Sequence, residues 1–322
     1  MHHLKARNVH RMAPTLLAYM MKNAKGSEHP TGPRLMLDGV TVVELERPQE
    51  RVILHDELGT NPFFMTMRAM WAMAGRTDSA FLATYDKNIP ELVACPGWRW
   101  RAAFELDQLQ IAVEHIRDQP MLQVWSTQDT QLTSVERNLT ACFRRTVDNT
   151  LNLVVYCGPM NVMEHLLEED AYTYSLALEF VARATGCDIG GLTFVSTCLW
   201  MAATPVNLNI TDSLEHVQDQ LCQYETQGWD TFPVMKNPNT GEGWMKDLDM
   251  MLSNGPSPMG VNEQYFRRVI APLMAAWDAF IRRDTGPALA LCHEIQDKAL
   301  ATACRNYLDA IRVAEARMEK KR

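Results

Sequence analysis

The spacing of apolar and polar residues along the chain predicts strands and helices in alternation. Residues 34–56, RLMLDGVTVVELERPQERVILHD, alternate between apolar and polar positions and are rich in Val and Ile, which indicates strands. Residues 61–75, NPFFMTMRAMWAMAG, place large apolar side chains near helical spacing, and Gly75 supplies a stop signal. The stretch 105–120 predicts a second amphipathic helix, which Pro120 ends.

The middle of the chain predicts three strands, a long helix and a further strand. The first strand covers LQVWST (122–127), and the next two, NLTACFRR (138–145) and LNLVVYCG (151–158), are joined by the turn TVDNT. A helix over 166–186 ends at a glycine, and the strand GLTFVSTCLWM (191–201) follows it.

The C-terminal third has a different character. From about 205 to 262 the chain is rich in turn signals such as SNGPSPMG, and a long structureless loop is typical of a lid or a flexible segment. Residues 263–322 predict a helical hairpin hinged at the motif DTGP. Strands and helices without a strict βαβ rhythm predict an α+β fold, with residues 1–262 as one domain and a C-terminal helical extension.

Composition narrows the class of protein. The 322 residues are 47% hydrophobic and 22% charged, which is typical of a globular protein with a sizeable core. We expect neither a membrane span nor a signal peptide, because no long apolar run and no apolar stretch with a cleavage site occur. Eight scattered cysteines without a CxxC pair predict no metal site and no disulfide framework, as in a reducing cytoplasm. A net charge of −8 disfavours a broad nucleic-acid-coating surface but leaves a local basic groove open.

Several motifs in a fixed order resemble the thymidylate synthase and deoxypyrimidine hydroxymethylase superfamily, especially its phage-type branch. They run from NPFF and AGR through GWRWR, DQL and VWSTQDTQL to YCGPMN and CDIGG, over roughly residues 30–202. The resemblance implies a thymidylate synthase-like mixed sheet with packed helices and a homodimer formed through that sheet. It also implies a pyrimidine nucleotide, or DNA containing a modified pyrimidine, as the substrate, and the cytoplasm of a host cell as the location if a phage encodes the chain.

The resemblance also implies that the family's chemistry is altered here. The family's nucleophilic cysteine lies in a VPCN-like stretch, and VERN places Arg137 at that position. A guanidinium is a permanent cation and cannot be the nucleophile. The proton-handling glutamate of the NPFF helix corresponds to Arg68, and the tyrosine before the GxRWR motif corresponds to Pro96. Ordinary thymidylate synthesis is therefore not expected, folate is doubtful, and the sequence names no other cofactor.

Other family positions are replaced as well. The Arg-Ser pair that binds the nucleotide phosphate corresponds to Gly158-Pro159, and the aspartate after it corresponds to Asn161. Trp200 stands where a sugar-binding histidine is expected. Asp170 corresponds to the asparagine that reads the base, and a carboxyl group there matches N3 and the 4-amino group of cytosine.

Two arginines at former catalytic positions predict a different reaction. Arginine pairs bidentately with phosphate oxygens, and the carboxylates of EHLLEED (164–170) are suited to orient or deprotonate an amine. We therefore predict a transferase in which an amine or amino acid displaces phosphate or pyrophosphate from an activated 5-hydroxymethylpyrimidine, as in phage DNA hypermodification. The predicted catalytic residues are Arg68, Arg137, Glu169 and Asp170, and the predicted substrate-binding residues are Trp98, Arg99, Arg101, Asn161, His165 and Trp200.

Two other functions stay open. One is a catalytically silent homologue that binds a nucleotide or a partner protein, and the least favoured is a folate-dependent methylase or hydroxymethylase with a rebuilt site. A purely structural role is equally open for Arg68 and Arg137, which are suited to ion pairs with the carboxylates of EHLLEED (164–170). In that case these carboxylates form the N-terminal turn of a helix, with Asp170 as its cap. His165 is then a surface or capping residue, and Trp98 packs in the core.

Overall fold

One mixed β-sheet lies at the centre of the protein. The computed structural model describes residues 1–87, 89, 96–131, 137–215, 217, 222–236 and 241–319. The strands in this part of the chain are β1 (His2–Ala6), β2 (Lys25–Ser27), β3 (Arg34–Leu37), β4 (Thr41–Leu45), β5 (Met121–Gln123), β6 (Asn138–Arg145), β7 (Thr150–Asn161) and β8 (Asp188–Ala202). Their order in the sheet is β1-β4-β8-β7-β6-β5, and β3 joins the C-terminal end of β8 and pairs with β2. The β1–β4 and β7–β8 pairs are parallel, and the others are antiparallel.

Helices cover the sheet and extend beyond it. The α-helices of the described residues are α1 (Val9–Asn23), α2 (Pro62–Met73), α3 (Ser79–Leu82), α4 (Pro96–Trp98), α5 (Gln108–Glu114), α6 (Ala171–Thr185), α7 (Pro205–Glu215), α8 (Gln223–Thr226), α9 (Gly241–Asn254), α10 (Ala271–Ile281), α11 (Thr285–Glu294) and α12 (Lys298–Glu319). Wider π-helical turns occupy Arg99–Ala103, Val162–Asp170 and Phe266–Ile270. Short 3₁₀ turns occupy Asp56–Leu58, Ile116–Asp118 and Thr127–Gln131. None of the described helices has the length and apolar character needed to cross a membrane.

The central strands have one fully buried face, which explains their alternating sequences. On β7, Leu151, Leu153 and Val155 are inaccessible to solvent and point toward the helices. The intervening residues Val154 and Tyr156 are half-buried and exposed, respectively. Because side chains alternate between the two faces of a strand, this pattern separates a core face from an open face.

The open face is made of two rows of cross-strand neighbours. One row runs Cys142–Val154–Thr193–Glu44 across β6, β7, β8 and β4, and the other runs Thr140–Tyr156–Val195–Val42. Apart from Tyr156, which is 42% exposed, the members of both rows are half-buried. The open face therefore combines three valines with two threonines, Cys142, Tyr156 and Glu44.

Two helices on the core side position the candidate site. The side chain of Asn61 accepts a hydrogen bond from the amide of Phe64 at 3.1 Å, and Pro62 occupies the first turn of α2, so the motif NPFF is a helix start. Helix α6 is buried along almost its whole length and ends at Gly186, whose φ of 68° is left-handed. Its continuous apolar sequence follows from contacts with β7 and β8 on one side and α2 and α5 on the other.

The C-terminal helices pack against α2 and share its core. The ring of Phe63 lies 5.0 Å from that of Trp277 on α10, and 6.3 Å from that of Tyr307 on α12. The indole N–H of Trp277 donates to the backbone oxygen of Thr84 at 2.7 Å. The buried side chains of these helices belong to the same hydrophobic cluster as those of the sheet. The division of the chain into domains at residue 262 stays a prediction.

The predicted α+β class is confirmed, with five corrections to its elements. Residues 46–55 do not form a strand, because the amides of Val52 and Leu54 bond to the side chains of Tyr224 and His10 and not to a neighbouring strand. The predicted strand 122–127 is limited to the short β5, and the helix predicted over 105–120 to α5 and a 3₁₀ turn.

The last two corrections concern the C-terminal third. The described part of 205–262 contains α7, α8 and α9, so it is not a structureless loop, and its role as a lid stays a prediction. The predicted hairpin beyond 262 is three helices, because a second break follows α11. Here the carboxylate of Asp297 accepts from the amide of Leu300 at 3.0 Å and starts α12.

Candidate functional site

Four of the predicted site residues come together beside the sheet. Arg68 projects from α2, Arg137 lies directly before β6, and His165 and Glu169 lie four residues apart on the π-helical turn Val162–Asp170. A guanidinium nitrogen of Arg68 is 2.8 Å from a carboxylate oxygen of Glu169. The charge of Arg137 acts on both His165 and Glu169. We call these four residues the arginine cluster.

The π-helical turn that carries the cluster begins at Asn161. The Asn161 side chain accepts hydrogen bonds from the amides of Met163 at 3.0 Å and Glu164 at 3.4 Å, and it is 2% exposed. Asn161 therefore caps this turn, as its residue type favours. The Asn161 side-chain oxygen already accepts hydrogen bonds from two backbone amides. Its role in substrate binding stays a prediction.

His165 lies in strongly positive surroundings. Burial and, after it, the nearby charges of Arg137 and Arg68 together lower the pKa of its imidazole to about 3. His165 is thus neutral at physiological pH. Its Nδ1 is buried and has no hydrogen-bond partner within the described residues. An unpaired buried nitrogen is costly, so this atom is ready to bond with a ligand.

Glu169 is the titratable carboxyl group of the cluster. Burial raises its pKa to about 7, and the neighbouring Asp170 acts in the same direction, whereas Arg68 and Arg137 act against them. At neutral pH the group is therefore divided between the protonated and ionised forms. A carboxyl group with a pKa near the working pH is suited to general acid–base chemistry.

Asp170 is held by a side chain that the sequence did not single out. The amide nitrogen of Asn138 donates to Asp170 Oδ1 at 3.2 Å, and the thiol of Cys157 lies 3.3 Å from Asn138 Oδ1. Asp170 occupies the N-cap position of α6, where its side chain makes no capping hydrogen bond within the described residues, because the backbone is already helical from Val162. The position of Asn138 directly after Arg137 in VERN was a usable signal.

Arg99 and Arg101 do not join the cluster through any contact of the described residues. Arg99 forms a buried ion pair with Asp129, and Trp98 and Phe104 lie near its guanidinium. Arg101 binds Asp107 at 2.8 Å and the backbone oxygen of Met73 at 2.9 Å. Both arginines thus serve internal contacts, and their roles in substrate binding stay predictions.

The tryptophans of the predicted site lie at its edges. Trp98 is 37% exposed, so it is not a fully buried core residue. Trp200 pairs with Asn161 across β7 and β8, and the guanidinium of Arg34 covers its ring at 3.7 Å from the centroid. The arginine would have to move before a sugar or base stacked on that ring face.

The glycine of GWRWR has a structural reason. A Cβ atom built on Gly97 would lie 1.9 Å from the backbone oxygen of Ala72, so α2 and α4 approach each other backbone to backbone. This motif is retained for packing even though Pro96 has replaced the neighbouring tyrosine of the resemblance. Within the described residues, no group of three His, Cys, Asp or Glu side chains is placed to hold a metal ion.

Comparison with known proteins finds similar sequences in phages. No protein-family model matches the chain. A deoxyuridylate hydroxymethyltransferase of Pseudomonas phage M6 is 28% identical over 299 residues, which cover 86% of this chain and 84% of that protein. A deoxyuridylate hydroxymethyltransferase of Bacillus phage SP01 is 33% identical over 60 residues, or 19% of this chain and 16% of that protein. Over most of its length the chain is thus similar to a phage deoxyuridylate hydroxymethyltransferase, in agreement with the resemblance of its ordered motifs to the phage-type branch of the thymidylate synthase and deoxypyrimidine hydroxymethylase superfamily.

Proposed function

We propose that this protein is a transferase acting on a modified pyrimidine, in a nucleotide or in DNA, within a phage-infected cell. The similar proteins of phages M6 and SP01 are named deoxyuridylate hydroxymethyltransferases, which supports a pyrimidine substrate. The observation that carries the proposal is the arginine cluster: two guanidinium groups surround a neutral histidine whose Nδ1 is unpaired within the described residues. Guanidinium groups stabilise an anionic leaving group such as phosphate, and they cannot act as the nucleophile that attacks the pyrimidine.

The proposed reaction is a displacement at the 5-methylene carbon of the pyrimidine. An ammonium group first loses one proton to a carboxylate, for which Glu169 is suited. The free amine then forms a C–N bond as the C–O bond to phosphate or pyrophosphate breaks. The leaving group departs with the electron pair of that bond, held by Arg68 and Arg137, and the product is a secondary ammonium ion. No folate takes part in these steps.

Binding of the activated substrate tests this function. Calorimetry at two salt concentrations would compare dUMP, dCMP, 5-hydroxymethyl-dUMP and a short duplex carrying pyrophosphorylated 5-hydroxymethyluracil. We expect tight, salt-sensitive binding of the pyrophosphorylated duplex alone. Arg137→Ala should weaken that binding by roughly ten- to hundredfold, since a hydrogen bond to a charged group contributes about 1.5–3 kcal/mol. Arg144→Ala on the exposed side of β6 is the matched control and should bind as the wild type does.

Full affinity and activity in both Arg68→Ala and Arg137→Ala would end the phosphate-binding role. If Arg144→Ala also weakened duplex binding, the affinity would depend on the overall positive charge of the protein and not on a specific phosphate site.

A catalytically silent homologue is the second candidate, and a specific observation favours it. Arg99, Arg101 and Arg68 each contact an internal carboxylate, as expected if the arginines stabilise the fold of a site without a reaction. Binding of nucleotide without turnover would support this candidate. Release of pyrophosphate from the duplex in the presence of an amine would exclude it.

A homodimer through the open face is part of the proposal. Its valines and threonines form a half-buried surface that suits a second copy of the same sheet. Val195→Glu would place a charge in the middle of this surface, and we expect it to convert a dimer into a monomer in sedimentation experiments. Val147→Glu makes the same change in a fully exposed turn and should leave the assembly unchanged. A wild-type monomer would contradict the prediction.

A further inference from the structure

A second cavity adjoins the arginine cluster and is unused by the proposed phosphate site. It is a cleft of about 1040 Å³ between the first turns of α2, residues 83–87 and the C-terminal helices. Phe64, Trp277 and Tyr307 supply aromatic walls, and Glu168 contributes a carboxyl group to the lining. Of these four residues, Glu168 lies in the acidic run EHLLEED that the sequence singled out, and the three aromatic residues were not among the predicted site residues.

Glu168 lacks a positive partner. Within the described residues it forms no hydrogen bond and no ion pair, and the charges that act on it are those of Glu169, Glu164 and Asp86. Burial and these three carboxylates raise the pKa of Glu168 to about 8. A carboxyl group in this position gains most from a cation that enters the cleft.

The cations on the lining do not fill this role. Lys87 and Arg283 are both exposed, and neither forms an ion pair with Glu168. Glu315, on the last turns of α12, adds a further exposed carboxylate to the lining. The protein therefore leaves Glu168 without a counter-ion of its own in the described part of the chain.

The aromatic walls are fixed and suit an organic cation. Trp277 is held by its hydrogen bond to Thr84 and by stacking on Tyr85, with 5.9 Å between ring centroids. Ring faces attract ammonium and guanidinium groups, and their apolar surface also accepts an alkyl chain. Among the described residues, no three His, Cys, Asp or Glu side chains are placed to hold a metal ion, so the cleft favours an organic cation.

The cleft lies next to the proposed reaction. Phe64 and Arg68 are four residues apart on α2 and so lie on one face of that helix. Glu168 in the cleft directly precedes Glu169 in the arginine cluster. Along α2, the wall of the cleft at Phe64 is therefore about one helical turn, roughly 5 Å, from Arg68 of the arginine cluster.

We propose that this cleft binds an organic ammonium ion, the amine that attacks the pyrimidine methylene carbon. The inference rests on the proposed function for the role of the amine, but the binding itself does not require the pyrimidine. Glu168 pairs with the ammonium group, and the aromatic walls hold the chain that carries it.

Calorimetry with n-butylamine, and with n-butanol as its neutral counterpart, tests the cleft without any nucleotide. We expect the amine to bind at least about tenfold more tightly than the alcohol, because only the cation pairs with the carboxylate. Glu168→Gln should remove that difference, and Glu315→Gln, which neutralises the exposed carboxylate of the same cleft, should retain it. In the wild type, the amine should displace a proton from Glu168 near neutral pH, so its binding heat should differ between two buffers of different ionisation enthalpy, such as PIPES and HEPES.

Equal affinity for amine and alcohol, or an unchanged preference in Glu168→Gln, would overturn the inference. A preference lost equally in Glu315→Gln would overturn it too, because the general negative charge of the rim would then be responsible. The duplex titration described above separates the two proposals. If the protein binds the amine but not the duplex, the proposed transferase function is wrong and the ammonium site stands. If it binds the duplex but not the amine, the ammonium site is wrong and the transferase function stands.

Discussion

Glu169→Gln is expected to slow pyrophosphate release from the modified duplex by about 10²–10⁴-fold, the contribution typical of a positioned general base. Glutamine keeps an oxygen that accepts the hydrogen bond from Arg68, so affinity for the duplex should change much less than the rate. The measurement is the rate of pyrophosphate release at saturating duplex and n-butylamine, for the wild type and the variant.

The pH dependence of the wild type follows from the raised pKa of Glu169. Only the ionised carboxylate accepts a proton, so the rate should rise with pH through about 7 and level off above it. In Glu169→Gln this rise should disappear. Glu164→Gln, at an exposed position on the same π-helical turn, is the control and should keep the plateau rate, with the rise moved only slightly to lower pH because Glu164 is a minor cause of the raised pKa of Glu169. A wild-type rate in Glu169→Gln would assign the proton to another group.

Most of the fold was predictable because local periodicity and burial agree. The alternation on β7 and the caps of α2 at Asn61 and of α6 at Gly186 are all properties of neighbouring residues. Residues 46–55 were not predictable in this way. Their apolar alternation is that of a strand, but their amide partners are side chains of Tyr224 and His10, far away in the chain.

The candidate site was predictable only where motifs positioned it. Arg68, Arg137 and Glu169 followed from the motifs and meet in space. The buried pair of Arg99 with Asp129 was hidden, since no pattern links a guanidinium to a carboxylate thirty residues away. The cleft was hidden for the same reason, because Trp277 and Tyr307 come from helices more than 200 residues beyond Phe64.

A second group of buried charges, away from the candidate site, governs stability. Glu179 is 1% exposed in the middle of α6 and forms an ion pair with Arg51, which is 6% exposed. The other carboxylate oxygen of Glu179 accepts from the amide of Val234 at 3.1 Å. One carboxylate therefore joins α6 to two segments that have no strand or helix of their own at these positions.

Glu179→Ala should lower the free energy of unfolding by about 3–5 kcal/mol, the cost typical of removing one partner from a buried ion pair. The loss is large because Arg51 would remain as a buried cation and the Val234 amide would lose its acceptor. Urea denaturation monitored by circular dichroism measures the change. The double variant Arg51→Met/Glu179→Leu removes both charges and should recover much of the stability, because no unpaired charge stays buried. If the double variant were as unstable as Glu179→Ala, lost packing and the Val234 bond would account for the effect, and the buried cation would not.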